Sequence, residues 1–186
     1  MTRIIGIAGS LRRQSFNLGL LRAAAELMPD GATLEVHTIN DIPLYNADVE
    51  VAEGLPRAVT DLKDKIAAAD GLLLATPEYN NGIPGVFKNS IDWLSRPASD
   101  IGRVFGAKPV AVIGASPGGF GTILAQNAWL GVLRTLGTKP WFEGRLLAAR
   151  AGGSFDAEGR LTDDAVREKL AGFVAGFVAF IEEGRS

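Results

Sequence analysis

Three short stretches gather the residues whose types suit binding chemistry. Thr76-Pro77-Glu78-Tyr79-Asn80-Asn81-Gly82-Ile83-Pro84-Gly85 sets two prolines, two glycines and two asparagines around a glutamate and a tyrosine. Such a loop is stiff, exposes backbone amides and offers one aromatic ring, which suits the edge of a planar heterocycle. The amides from Glu78 to Asn80 are expected to face carbonyls of a ligand ring. Gly82 and Gly85 permit close approach or positive φ, and Asn80 and Asn81 fix the turn. The second stretch is Gly9-Ser10-Leu11-Arg12-Arg13-Gln14-Ser15-Phe16-Asn17, just ahead of a helical pattern. A helix N-terminus offers unpaired N–H groups and a positive dipole end, so this stretch suits a phosphate. Ser10, Ser15 and Asn17 would add side-chain hydrogen bonds and Arg12 a charge-assisted one. The competing reading makes Ser15 or Asn17 a helix cap and leaves the arginines to solvent. Neither a G-x-x-x-x-G-K-[ST] nor a G-x-G-x-x-G motif occurs, so a single phosphate fits better than a pyrophosphate. The third stretch, Gly114-Ala115-Ser116-Pro117-Gly118-Gly119-Phe120-Gly121-Thr122, has three glycines among four residues. Either its backbone lies close to a ligand, with Ser116 nearest, or it is a tight turn only.

What is missing narrows the chemistry. The chain has no cysteine and one histidine, which removes thiolate catalysis and makes a metal site improbable. That histidine, His37, falls in a strand away from the three loops and reads as structural. Glu78 is the one carboxylate in a site loop, so a hydrolytic dyad or triad lacks its partners. A site that binds well but holds few acid–base groups leaves the hard chemistry to a cofactor. No catalytic side chain and no metal ligand is therefore assigned, and Glu78 is expected to act through its backbone. Net charge is −2 with a pI near 5.5, which gives no footprint for nucleic acid or an acidic membrane. No segment approaches the roughly 18–20 apolar residues of a membrane span, and the start does not read as a signal peptide. A cytoplasmic protein is the expectation.

The elements that must position these loops follow from the periodicity. Strands are expected at 3–8, 33–39, 71–76 and 109–115, with a fifth, irregular one within 141–147. Helices are expected at 17–28, 56–69, 84–94 and 122–136, the last stopped by Gly137. A final helix runs to Glu183, with Thr162 as its cap. Lys88 and Asp92 are four apart and can pair. The βαβαβαβαβα order argues an α/β fold with a parallel sheet covered on both faces, in one domain over residues 1–186. Five strands at this length fit the flavodoxin-like doubly wound order 2-1-3-4-5, whose switch point lies between the first and third strands. The three unusual loops then line one site.

Together these residues resemble the NADPH-dependent FMN reductase family, and most of all its branch of bacterial quinone, chromate and azo-dye reductases. The resemblance runs from about Arg3 to Gly144. Gly9-Ser10-Leu11-Arg12 with Ser15-Phe16-Asn17 is similar to the family's phosphate loop. Asp41-Ile42-Pro43-Leu44-Tyr45-Asn46 is similar to its segment after the second strand. Pro77-Glu78-Tyr79-Asn80, then Ile83-Pro84-Gly85 and Lys88-Asn89, resembles its flavin-edge signature and is the most specific element. Ser116-Pro117-Gly118-Gly119 with Gly121-Thr122 resembles its third loop. Arg13-Gln14 departs from relatives that carry a glycine or small residue before the serine.

The resemblance implies non-covalent FMN, with Ser10, Arg12, Ser15 and Asn17 on its phosphate in the loop that includes Phe16. Pro77, Glu78, Tyr79 and Asn80 would meet the isoalloxazine edge, with Ser116 and Gly119 on the far side. It implies hydride transfer from NAD(P)H to the flavin and then to quinone, flavin, chromate or azo acceptors. The alternative function is a flavodoxin-type electron carrier, against which Arg12, Arg13 and the near-neutral charge count. Homodimers or homotetramers that complete the pocket are also implied, with Trp93, Phe105 and Trp129 as interface aromatics or, equally, as core. The last 40 residues carry no family signature and read as a covering helix.

Overall fold

Six short strands pair into one parallel sheet. In a computed structural model, which describes residues 1–185, β1 (Thr2–Ala8), β2 (Ala32–His37), β3 (Gly71–Ala75) and β4 (Pro109–Ala115) form its body. β5 (Lys139–Pro140) and β6 (Leu146–Ala148) both pair with β4. The order is β2-β1-β3-β4-β5, the flavodoxin-like 2-1-3-4-5 arrangement. β3 is buried at every residue, as a central strand covered on both faces must be.

Side chains leave each strand alternately, which builds two cores. Ile4, Ala8, Leu73 and Ala75 face the side covered by α1 (Phe16–Glu26) and α7 (Asp164–Glu183). Ile5, Ile7, Leu72 and Leu74 face α3 (Arg57–Ala68), α4 (Gly85–Leu94) and α6 (Ile123–Thr135). Trp93, Phe105 and Trp129 lie wholly inside this second core, so the aromatics weighed as interface residues are core. Trp93 also donates its indole N–H to the Pro43 carbonyl at 2.9 Å.

Three local expectations change. The fifth strand is broken: Val110 pairs with Pro140 and Ile113 with Leu146, so residues 141–145 loop out of the ladder. α2 (Ala47–Glu53) is an additional helix with no buried residue, capped by Asn46 and ended by Gly54 at φ 78°. α7 is capped by Asp163, not Thr162: the Asp163 carboxylate accepts from the amides of Ala165 and Val166 at 3.0 and 3.1 Å. A carboxylate complements the helix dipole better than a hydroxyl does, and the Thr162 amide is already donated to the Ser154 carbonyl. A short α5 (Ile101–Val104) sits between α4 and β4. The expected Lys88–Asp92 pair forms at 2.6 Å.

One buried cation fixes the far end of the molecule. Lys63 of α3 is 2% exposed at its side chain, and its ammonium reaches the Arg96 carbonyl and, at 2.8 Å, the Asp100 carboxylate. The hydrogen bond from Lys63, and after it that from Arg103, holds the Asp100 carboxyl below the usual carboxylate range. A depressed carboxyl adds stability above its unfolded pKa, and that stability is lost as pH falls through the folded value. Asp100→Asn is therefore expected to lower the urea midpoint at pH 7. The variant's midpoint should also fall less than the native one's between about pH 4 and pH 2. Equal acid slopes for the two proteins would refute the coupling.

Candidate functional site

The loops after β1, β3 and β4 leave the carboxyl ends of adjacent strands, and a cavity opens among them. Its lining is Ser10, Arg12, Ser15, Phe16, Asn17, Pro77, Glu78, Tyr79, Ala115, Ser116 and Pro117. Of the eleven site residues expected from the sequence, Asn80 and Gly119 fall outside this lining; Ala115 and Pro117 enter it. A larger groove lies instead along the broken fifth strand, between α6 and residues 140–145. It holds Arg145 as its one charged group and shares no lining residue with the cavity among the loops.

The first loop is built around the start of α1. The Ser15 hydroxyl accepts the Leu18 amide at 3.3 Å, a helix cap. The Phe16 and Asn17 amides precede the first intrahelical bond, so the helix itself gives them no acceptor. The Asn17 side chain is committed elsewhere. Its Nδ2 donates to the Ala115 carbonyl and its Oδ1 accepts the Ala115 amide, both at 2.9 Å, with Asn17 buried. Arg12 donates from Nη2 to the Gln14 carbonyl at 2.8 Å, and its guanidinium lies 5.1 Å from the Phe16 ring centroid. The Ser10 hydroxyl accepts the Arg12 amide at 3.3 Å.

The loop after β3 differs from its expected use of amides and glycines. The Tyr79 amide donates to the Gly82 carbonyl at 3.2 Å and Gly82 returns the bond at 3.1 Å, so Tyr79 N–H serves the turn. Left-handed backbone falls on Asn80 (φ 50°) and Asn81 (φ 63°), not on Gly82 or Gly85. Positive φ at both central residues defines the tight I′ class of turn, which asparagine tolerates. The Tyr79 side chain is 51% exposed at the rim. Glu78 acts through its carboxylate: Oε2 accepts the amides of Leu124 and Ala125 at 2.8 and 2.9 Å. Thr122, at the N-cap position of α6, makes no side-chain cap bond, so Glu78 caps that helix from another loop.

The loop after β4 is drawn in tightly. A Cβ on Gly114 would lie 1.9 Å from Thr122 Oγ1 and 2.4 Å from the Thr76 carbonyl, so this is the glycine that close packing demands. The Ser116 hydroxyl donates to the Gly121 carbonyl at 2.6 Å. Beneath the loop lies a part of the chain to which the sequence reading gave only a covering role. The Ser116 amide donates to Ala148, Ala151 donates to the Ser116 carbonyl, and Arg150 donates to the Gly118 carbonyl. The residues after β6 thus hold this wall of the site from behind.

The model of the NADPH-dependent FMN reductase family matches residues 2–152. The chain belongs to that family. It is 46% identical over 168 residues to an NAD(P)H-dependent FMN reductase of Pseudomonas aeruginosa, across 90% of this chain and 89% of that one. A 2-hydroxy-1,4-benzoquinone reductase of Burkholderia is 37% identical over 98% of each chain. Among solved structures, the flavoenzyme NAD(P)H:(acceptor) oxidoreductase of Paracoccus denitrificans superposes with a TM-score of 0.84, at 36% identity over 98% of both chains. Family membership makes the chain an NAD(P)H-dependent FMN reductase or quinone reductase.

The residues at the cavity fit the mononucleotide that an FMN reductase handles. Side chains that line the cavity reach the N-termini of two helices, and the two differ. That of α6 already carries the Glu78 carboxylate. That of α1 has only a neutral serine cap, no acid in its first turn, and Arg12 beside it. An anion is therefore favoured at α1 and disfavoured at α6. Glu78→Ala is expected to lower stability by about 1–2 kcal/mol in urea unfolding through loss of the α6 cap. Glu78→Gln, which keeps an acceptor oxygen, should lose about half as much. An unchanged midpoint for the alanine variant would show that the carboxylate carries no capping load.

Proposed function

We propose that the cavity binds FMN without a covalent bond, its phosphate at the Ser10–Asn17 loop and its ring system against Pro77–Asn80, with Ser116 opposite. The observation that carries this reading is the pairing of an α1 N-terminus that has a neutral cap and no acidic group with an aromatic, stiffened wall across the same cavity. The bound flavin would take up hydride from NAD(P)H and pass electrons to an acceptor. The protein's contribution is placement. Ser10, Ser15 and the first-turn amides of α1 would hold the phosphate, with Arg12 adding a charge-assisted bond. Asn17 contributes by keeping that loop against β4, since both ends of its amide are engaged there. Pro77 and the Tyr79–Gly82 turn would keep one wall rigid, so that two planar rings meet at contact distance.

Quinones are the acceptors favoured by the relatives; free flavin, chromate and azo compounds remain in the same reading as substrates of an accessible reduced ring. It also includes a homodimer or homotetramer that completes the pocket, with exposed Phe120 and Phe142 as the aromatics available for contact. A cytoplasmic location belongs to it as well. Among the described residues no helix is long and apolar enough to cross a membrane.

Stopped-flow mixing of the FMN-loaded protein with NADPH should bleach the flavin; a flavin that stays oxidised would favour an electron carrier. Arg12→Ala should weaken FMN binding by about tenfold to a hundredfold in a fluorescence titration of apoprotein. Unchanged affinity would remove the arginine from the phosphate site. Tyr79→Ala should slow flavin reduction while shifting stability by no more than about 0.5 kcal/mol, because the ring is half exposed. Parallel loss of rate and stability would make the tyrosine structural.

A further inference from the structure

Arg12 is held by two partners, and one distant turn touches both. Its Nη2 donates to the Gln14 carbonyl, and its guanidinium lies against the Phe16 ring. Phe16 in turn meets Phe155, with ring centroids 5.1 Å apart and planes inclined by 33°. Phe155 is buried and forms an antiparallel bridge with Leu161, closing a turn. Gly159 of that turn, at φ 79°, faces the Gln14 backbone: a Cβ there would lie 3.6 Å from the Gln14 Cα. The turn also seats on α1, because a Cβ on Gly19 would come within 2.1 Å of the Gly159 carbonyl.

The turn is itself rigid. Asp156 accepts the amides of Glu158 and Arg160 at 3.0 and 2.8 Å and pairs with the Arg160 side chain at 2.7 Å. Its base is tied to the start of α7, where the Ser154 hydroxyl donates to the capping carboxylate of Asp163 at 2.9 Å. All of it lies beyond residue 152, where the match to the family model ends.

We infer that the Phe155–Leu161 turn is the support that positions Arg12 for an anion at the α1 N-terminus, with Phe155 as its positioning residue. A guanidinium has five N–H donors; the bond to Gln14 uses one and leaves the rest for a ligand. Holding the plane on a fixed ring removes side-chain freedom before the ligand arrives, so less is lost on binding. The inference rests on the phosphate assignment of the preceding section.

The test compares FMN with riboflavin, which lacks the phosphate, in titrations of apoprotein. Phe155→Leu keeps apolar bulk but removes the ring. It should raise the Kd for FMN by about fivefold while the Kd for riboflavin stays within about twofold. In an Arg12→Ala background the same substitution should have no further effect on FMN. A second variant, Arg160→Ala, loosens the turn from its exposed side and should act in the same direction, more weakly. An equal loss for FMN and riboflavin would overturn the inference, since a merely structural role weakens both. So would a Phe155→Leu effect that persists without Arg12. An FMN-to-riboflavin preference unaltered by Arg12→Ala alone would instead strike the phosphate assignment itself.

Discussion

The site depends on how the chain satisfies the end of β4. In a parallel ladder a residue sends its N–H and C=O to the same neighbour. β3 pairs with β4 as far as Ala75–Ile113, and its continuation Thr76 still donates to the Ile113 carbonyl. Ala115 extends beyond that partner on the same side. Its amide and carbonyl would be buried without partners, at a cost of about 1–3 kcal/mol each. The Asn17 side chain takes both groups and stands in for the missing strand. Because Asn17 is in the first turn of α1, the substitution also ties the loop after β1 to the loop after β4. Glu78 makes the second tie, from the loop after β3 to the start of α6. With both in place the three loops act as one frame around the cavity.

The two ties show what polar side chains near a ligand cavity are for. Asn17 and Glu78 both line it, and the hydrogen bonds described for their side chains go to protein backbone. The groups left for a ligand are mostly first-turn amides, the remaining donors of Arg12, and the edges of rings. This division suits an enzyme whose protein part orients and excludes, while a bound group carries electrons.

Much of the architecture was legible in the chain. β4 has the bounds that its apolar run implies, and the switch-point argument placed the three loops together because strand order follows from element order. The misses have separate physical causes. α2 buries nothing, so it leaves no apolar period; only Asn46 and Gly54 mark its ends. The fifth strand breaks over residues 141–145, and periodicity cannot register a ladder that skips residues. Asn80 and Asn81 fix the turn as their residue types imply, but the Tyr79 amide does not face the cavity and Gly82 and Gly85 do not supply the positive φ. A turn closed between Tyr79 and Gly82 decides instead which N–H groups are spent. The support from residues 148–161 was invisible for a different reason: those contacts join segments more than a hundred residues apart in part, through backbone atoms that any sequence possesses.

The carboxylate on α6 gives the cavity a polarity. Of the two helices whose starts its lining side chains reach, one carries a carboxylate from within the protein and the other does not. An elongated guest with an anion at one end would therefore meet unlike surroundings at the two ends of its seat. The reversed mode of entry would place its charge beside a glutamate.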